Sequence, residues 1–190
     1  MLIAIDGRCA AGKTTLAETI KGIIPCNIIH MDHFFLRPEQ RTKERFREPG
    51  GNVDYERFQE EVMLPLGRGE QFSYHVFDCK KMGFSSEIPV EPCGLTIVEG
   101  SYSCHPSLWK FYDLHIFMDI DTEEQRERIR KRDGESAYKV FRERWIPMEE
   151  NYFENCHVRE QCECVRMGME IQEIADDIIR NFHLQTYIEN

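Results

Sequence analysis

The chain has 190 residues, 41% hydrophobic and 31% charged, which suits one sizeable α/β domain and leaves little room for a second. A net charge of −10 argues against a nucleic-acid binder, whose affinity comes from neutralising phosphates with Lys and Arg. No stretch approaches a membrane span, and the first apolar run stops at Asp6, too early for a secretory segment, so the cytoplasm is the expected compartment.

The first apolar run, Leu2 to Ile5, reads as a buried strand. Gly7-Arg8-Cys9-Ala10-Ala11-Gly12-Lys13-Thr14 follows it and fits the phosphate-binding pattern G-x-x-x-x-G-K-[ST]. Thr14 onward is a helix with Leu16, Ile20, Ile23 and Ile24 on one face. Strand, glycine loop and helix in that order aim backbone N–H groups and a helix N-terminus at one point, where a polyphosphate binds. A second apolar run, Ile28 to Met31, ends at Asp32. Arg37 to Gly51 is a basic stretch with Arg37, Arg41, Lys43, Arg45 and Arg47, read either as a solvated helix pair or as a lip over an acceptor site. Asp54 to Leu64 is expected to be helical, with Tyr55, Phe58 and Val62 on one face.

Further apolar runs end at Glu99-Gly100 and at Asp119, and Gln161 to Val165 is the candidate for a fifth strand. Near-continuous apolar runs alternating with helices predict a parallel sheet covered on both faces, with Asp6, Asp32, Glu99 and Asp119 on its ligand-binding edge. Asp121 or Thr122 caps a helix running to about Arg132. Ala137 to Phe153 is a long amphipathic candidate interrupted at Pro147, and Gly168 to Phe182 is the last helix, presenting Met169, Ile171, Ile174, Ile178 and Ile179. The eight cysteines are scattered and read as reduced thiols. Cys156-His157 with Cys162 and Cys164 lacks a common zinc spacing, and no structural zinc is expected there.

Phosphoryl transfer needs a phosphate cradle, a metal, a handler of the acceptor proton and positive charge near the γ-phosphate. Gly7, Arg8, Cys9, Ala10, Ala11, Gly12, Lys13, Thr14 and Thr15 form the cradle, with Lys13 supplying charge. Thr14, Glu99 and Asp32 are the candidate Mg²⁺ ligands, since that ion takes oxygen donors and keeps several waters. Asp32 is the candidate base, with a helix cap or turn residue as the alternative; Glu99 has a structural turn role as its alternative. Arg128 and Arg132 share one helix face, Arg126 and Arg130 another; either pair can meet phosphate, or both can form a surface network with Glu123, Glu124 and Glu127.

These residues together resemble the uridine kinase-like family of P-loop kinases, which includes phosphoribulokinase-like and nicotinamide riboside kinase-like relatives. Beyond the generic loop, the resemblance rests on Met31-Asp32-His33-Phe34-Phe35, Asn52-Val53-Asp54, Val98-Glu99-Gly100, Asp119-Ile120-Asp121, Arg128 with Arg132-Asp133, and Trp145-Ile146-Pro147-Met148. It implies a single P-loop kinase domain over residues 1–190: a three-layer α/β sandwich with a five-stranded parallel sheet, a small helical lid at about 126–140 and a basic acceptor-side insert at about 36–52. It also implies transfer of the γ-phosphate of ATP or GTP, with Mg²⁺, to a hydroxyl of a small molecule. Asp54 looks like the ribose contact and Tyr74 like the base contact, and Glu99 joins the substrate set. If Arg41, Arg45 or Arg47 serves the acceptor, that acceptor carries a phosphate or carboxylate, since clustered guanidinium groups suit bidentate anion contacts. The chain departs from uridine kinases where Cys79 and its neighbours fall in the region of a histidine. Its lid is shorter after Asp133, and its insert is more basic. A sugar-phosphate kinase resembling phosphoribulokinase and a nucleotide-binding module without transfer activity are the competing readings. A GTPase switch is disfavoured, since no Asn-Lys-x-Asp motif is present. The oligomeric state stays open, a homo-oligomer among the outcomes.

Overall fold

The computed structural model describes residues 1–187. Its strands run in the order β1 (Leu2–Gly7), β2 (Asn27–His30), β3 (Phe72–Asp78), β4 (Gly83–Val90), β5 (Thr96–Glu99), β6 (Leu114–Met118) and β7 (Cys164–Arg166). Five of them make the expected sheet, ordered β2-β5-β1-β6-β7, with every neighbouring pair parallel. Alternation along β1 sends Ile3 and Ile5 to one face and Ala4 to the other. The first face packs on the loop helix (Lys13–Ile23) and the C-terminal helix (Ile171–Asn181) through Leu16, Ile20, Ile174 and Ile178. The second face packs on Phe34, Phe58, Tyr102 and Tyr152. Helical layers on both faces of one sheet make the three-layer sandwich. No helix among the described residues is long and apolar enough to cross a membrane.

Several boundaries differ from the sequence-based expectation. The fifth strand starts at Cys164 rather than Gln161, because Val158–Gln161 closes a helical turn through Cys162 N to Val158 O. The last helix starts at Ile171: Gly168 takes a left-handed φ of 70°, which ends helical continuity, and Met169 stands exposed instead of joining the core. Two expected helices carry an internal π-helical turn, at Gln59–Met63 and at Phe141–Trp145. Each precedes a proline, Pro65 or Pro147, whose ring would clash with the carbonyl four residues earlier; the wider turn relieves that contact.

One element was not expected at all. β3 and β4 form a separate antiparallel hairpin with a register shift between Val76 and Phe77. Tyr74 of β3 inserts into the second core layer, its ring tilted against Phe34 at 5.3 Å. The basic insert is closed at its base by an antiparallel bridge between Phe35 and Val53, and Asp54 N donates to Phe34 O at 2.7 Å. That staple fixes residues 36–52 as a strap beside the carboxyl edge of the sheet.

Candidate active site

A cleft of about 900 Å³ opens at that edge. It is large enough for a nucleotide and a small second ligand. One end is the phosphate loop. Gly7 has φ 128°, and a Cβ there would lie 2.0 Å from Met118 O, so only glycine lets the loop leave β1 against β6. Ala10 is held left-handed at φ 63°. Such backbone persists only where its surroundings fix it, and it recurs at ligand sites. Gly12 caps the loop helix without any side chain bonding the first-turn N–H groups. Lys13 Nζ donates to Gly7 O at 2.7 Å and Arg8 O at 2.9 Å, which folds the ammonium back over its own loop.

Carboxylates converge on this end. Thr14 Oγ1 donates to Glu99 Oε2 at 2.9 Å, and the other Glu99 oxygen meets His30 Nδ1 at 2.5 Å. The bond to Glu99 raises the His30 pKa against the opposing effect of its burial. Asp32 follows β2 in a 3-10 turn, Met31–Phe34, and lines the same wall. Its surface opens to the cleft, yet protein surrounds it in depth. That enclosure pushes its carboxyl pKa up, the Lys13 charge opposes this, and the Glu99 charge adds to it. Thr14, Glu99 and Asp32 supply only oxygen donors, a hard set that fits Mg²⁺ with waters completing its shell.

The helix Thr122–Asp133, expected as part of a lid, is capped by Asp121, whose side chain accepts from Glu123 N and Glu124 N. Gln125 Nε2 donates to Cys9 O at 3.1 Å, so this helix is tied to the loop. Arg128 and Arg132 line the cleft, Arg128 reaching Ala10 O at 3.2 Å. Arg126 pairs with Glu123 and Arg130 with Glu135, away from it.

Of the remaining loop residues, Cys9, Ala10 and Thr15 line the cleft, whereas Gly7, Arg8 and Ala11 lie behind it. Arg8 turns to Glu150 and Asp119. Two of the four strand-end acids are structural. Asp6 is fully buried and accepts from Tyr102 N, Cys104 N and Tyr152 Oη; Asp119 pairs with Arg8 and Arg159.

Three expected substrate contacts stand elsewhere. Asp54 is buried, caps the helix Tyr55–Phe58 by accepting from Arg57 N, and pairs with Arg37 at 3.2 Å and Arg57 at 3.6 Å. A cap with two guanidinium partners has no oxygen facing the cleft. Tyr74 is buried, and its hydroxyl lies 3.2 Å from His33 Nδ1. Burial pushes its phenol up to about 12. Arg45 is consumed in the strap, bonding Gly51 O, Val53 O, Tyr55 Oη and both oxygens of Glu56. Of the other residues weighed for the substrate, Glu99 and Arg41 line the cleft.

The sequence reading missed Ser101 and Glu149. Glu149 is buried on the helix Ile146–Asn155, accepts from Ser101 Oγ at 2.6 Å and Cys9 N at 3.0 Å, and so clamps the phosphate loop to that helix. Its pKa is raised by burial, opposed by the Lys13 charge and these hydrogen bonds. The signal was present: Glu149 sits three and four residues from Trp145, Ile146, Tyr152 and Phe153, a lone charge on an apolar helix face.

No family model and no curated protein matches the chain. Solved structures do. A possible uridine kinase from Bacillus stearothermophilus superposes with a TM-score of 0.66 at 19% identity, covering 87% of each chain. A candidate fructose transport system kinase from Silicibacter sp. TM1040 gives a TM-score of 0.62 at 19% identity, covering 87% of this chain and 89% of that one. The chain therefore shares the three-layer α/β fold of these structures, with the G-x-x-x-x-G-K-[ST] loop between its first strand and first helix.

Proposed function

We propose that the protein is a kinase that moves the γ-phosphate of ATP or GTP to a hydroxyl of a small molecule, with a nucleoside or related ribose-bearing metabolite as the acceptor class. The observation that carries this reading is Asp32 in one cleft with Lys13, Thr14 and Glu99. Among the described residues, no hydrogen bond or ion pair is formed by this accessible carboxylate facing the end of the phosphate loop, and phosphoryl transfer needs a proton acceptor at that point. The fold neighbours that are called kinases support the same class.

In this scheme the loop N–H groups and Lys13 hold the phosphates, and Arg128 and Arg132 add positive charge from the lid. Mg²⁺, held by Thr14 and Glu99 with Asp32 alongside, would neutralise charge on the phosphate oxygens. Asp32 accepts the acceptor's hydroxyl proton as its oxygen bonds to the γ-phosphorus and the bond to the nucleoside diphosphate breaks. Its raised pKa brings the carboxylate closer to the pKa that a base needs. Glu149 and Ser101 hold the loop in shape through Cys9 N.

The test is an acceptor screen with ATP or GTP and Mg²⁺, spanning nucleosides, ribosyl cofactor precursors and sugar phosphates. Acceptor-dependent release of nucleoside diphosphate with a phosphorylated product is the expected result. Nucleotide binding without any acceptor-dependent turnover would favour a nucleotide-binding module instead.

A further inference from the structure

Of the arginines that line the cleft or belong to the strap, Arg37, Arg45, Arg128 and Arg132 have carboxylate partners among the described residues. Arg47 has none but does not line the cleft, and two that line it have none either. Arg128 pairs with Glu124, Arg132 with Asp133, and Arg45 with Glu48 and Glu56. Arg41 and Arg144 also line the cleft, and neither meets a carboxylate among the described residues. Both are nevertheless held in place. Arg41 Nε donates to Leu36 O at 2.9 Å, which anchors one edge of its guanidinium; of the other edge, only one nitrogen has a contact, with Cys79 Sγ at 3.7 Å. The Arg144 guanidinium lies 4.4 Å from the Trp145 ring and 5.3 Å from the Phe46 ring. These cation–π contacts place the guanidinium, and its N–H groups make no hydrogen bond among the described residues, an arrangement suited to bidentate contact with an oxyanion.

In a chain with 34 acidic residues against 24 basic ones, two positioned arginines without carboxylates in one cleft call for an external anion. They flank the short helix Lys43–Arg47, which carries Phe46, and they come from the strap and from the segment after the lid. Lys13 and the lid arginines already serve the phosphate-loop end.

Resting on the kinase reading above, we infer that the acceptor is itself an anion: a hydroxyl-bearing small molecule whose phosphate or carboxylate is held by Arg41 and Arg144. Its flat or apolar body lies against Phe46 and Trp145, and its hydroxyl reaches Asp32. Asn52, also on the cleft wall, is an uncharged hydrogen-bonding group for the body. This gives the acceptor contacts to Arg41 and Arg144 in place of Arg45, and to half-buried rings on the cleft wall in place of Tyr74.

The experiment uses the full chain saturated with a non-hydrolysable ATP analogue and Mg²⁺, and titrates matched pairs: ribose 5-phosphate against ribose, uridine monophosphate against uridine, glycerate against glycerol. At least one anionic member should bind about tenfold or more tighter than its neutral partner, and Arg41→Ala and Arg144→Ala should each erase most of that difference. Arg144→Lys, which keeps charge but loses the planar fork, should recover part of it. If either alanine variant fails to fold, the other carries the comparison. Equal binding of charged and neutral partners overturns the inference, as does an anion preference that survives both substitutions. Weakened binding of the ATP analogue with unchanged binding of the pairs reassigns these arginines to the nucleotide and also overturns it. Turnover on the same panel separates the two readings. Phosphorylation of neutral acceptors alone keeps the kinase and removes the anionic acceptor. Arginine-dependent anion binding with no phosphorylation keeps the anion site and removes the kinase.

Discussion

On the phosphate-loop side of the cleft, the working groups are tied to backbone. Gly12, Lys13 and Thr14 sit between a strand and a helix, Asp32 and Glu99 end or follow strands, and φ values of 63° at Ala10 and 96° at Gly12 shape the loop. On the strap side, Arg41 precedes and Phe46 sits on a short helix, Arg144 and Trp145 lie in a π-helical turn, and all are placed by tertiary contacts: a stapled base at Phe35 and Val53, and cation–π contacts. The first kind of site is encoded by local sequence at fixed spacing. The second depends on which residues tertiary packing has already consumed, as it has consumed Asp54, Tyr74 and Arg45.

A large effect that would break this contrast belongs to Lys13→Ala. It should lower transfer by about 10²–10³-fold in a coupled assay, since removing such a charge costs about 3–4 kcal/mol of barrier stabilisation. Turnover at the wild-type rate would mean that the loop is not a working phosphate site.

Asp32→Asn should lower kcat by about 10²–10⁴-fold while nucleotide still binds. The same carboxylate sets a pH dependence. Enclosure raises its pKa, and only the deprotonated form accepts a proton. In the protein free of Mg²⁺ and nucleotide, the Asp32 carboxyl should therefore titrate above the ordinary carboxylate range by NMR, and Asp32→Asn should remove that titration. An Asp32 titration at the unshifted carboxylate position would contradict the enclosure.

Asp54→Ala sharpens the comparison from the strap side. It leaves Arg37 and Arg57 facing a lost partner and removes a helix cap, so urea unfolding should show a loss of about 3 kcal/mol. Wild-type stability together with a selective rise in acceptor KM would return Asp54 to the cleft. The smallest effect is that of Tyr74→Phe. Losing the contact to His33 should cost about 1 kcal/mol or less in the same unfolding measurement and leave acceptor KM unchanged.

The same distinction explains what could be read from the chain alone. The sheet was legible because Leu2 to Ile5, Ile28 to Met31, Leu95 to Val98 and Leu114 to Met118 are continuous apolar runs, each ending at or just before a polar turn. The hairpin was missed although Phe72, Tyr74 and Val76 alternate with Ser73 and His75; a short alternating run beside basic and glycine-rich segments reads weakly. Both π-helical turns were invisible as turns, since a proline signals an interruption without specifying how the backbone accommodates it. Asp54 and Tyr74 carried the family-like pattern, but pattern cannot report that Arg37 and Arg57 close on one and Phe34 and His33 on the other.

The central claim is that Asp32 and the phosphate loop form one phosphoryl-transfer centre. Its most direct test is a single-turnover experiment with γ-labelled ATP, Mg²⁺ and the best acceptor from the screen, run on the wild type and on Asp32→Asn. The account predicts label in a phosphorylated acceptor with the wild type, and intact bound ATP with little product in the variant. Label appearing only as inorganic phosphate, or transferred equally by both proteins, would contradict it.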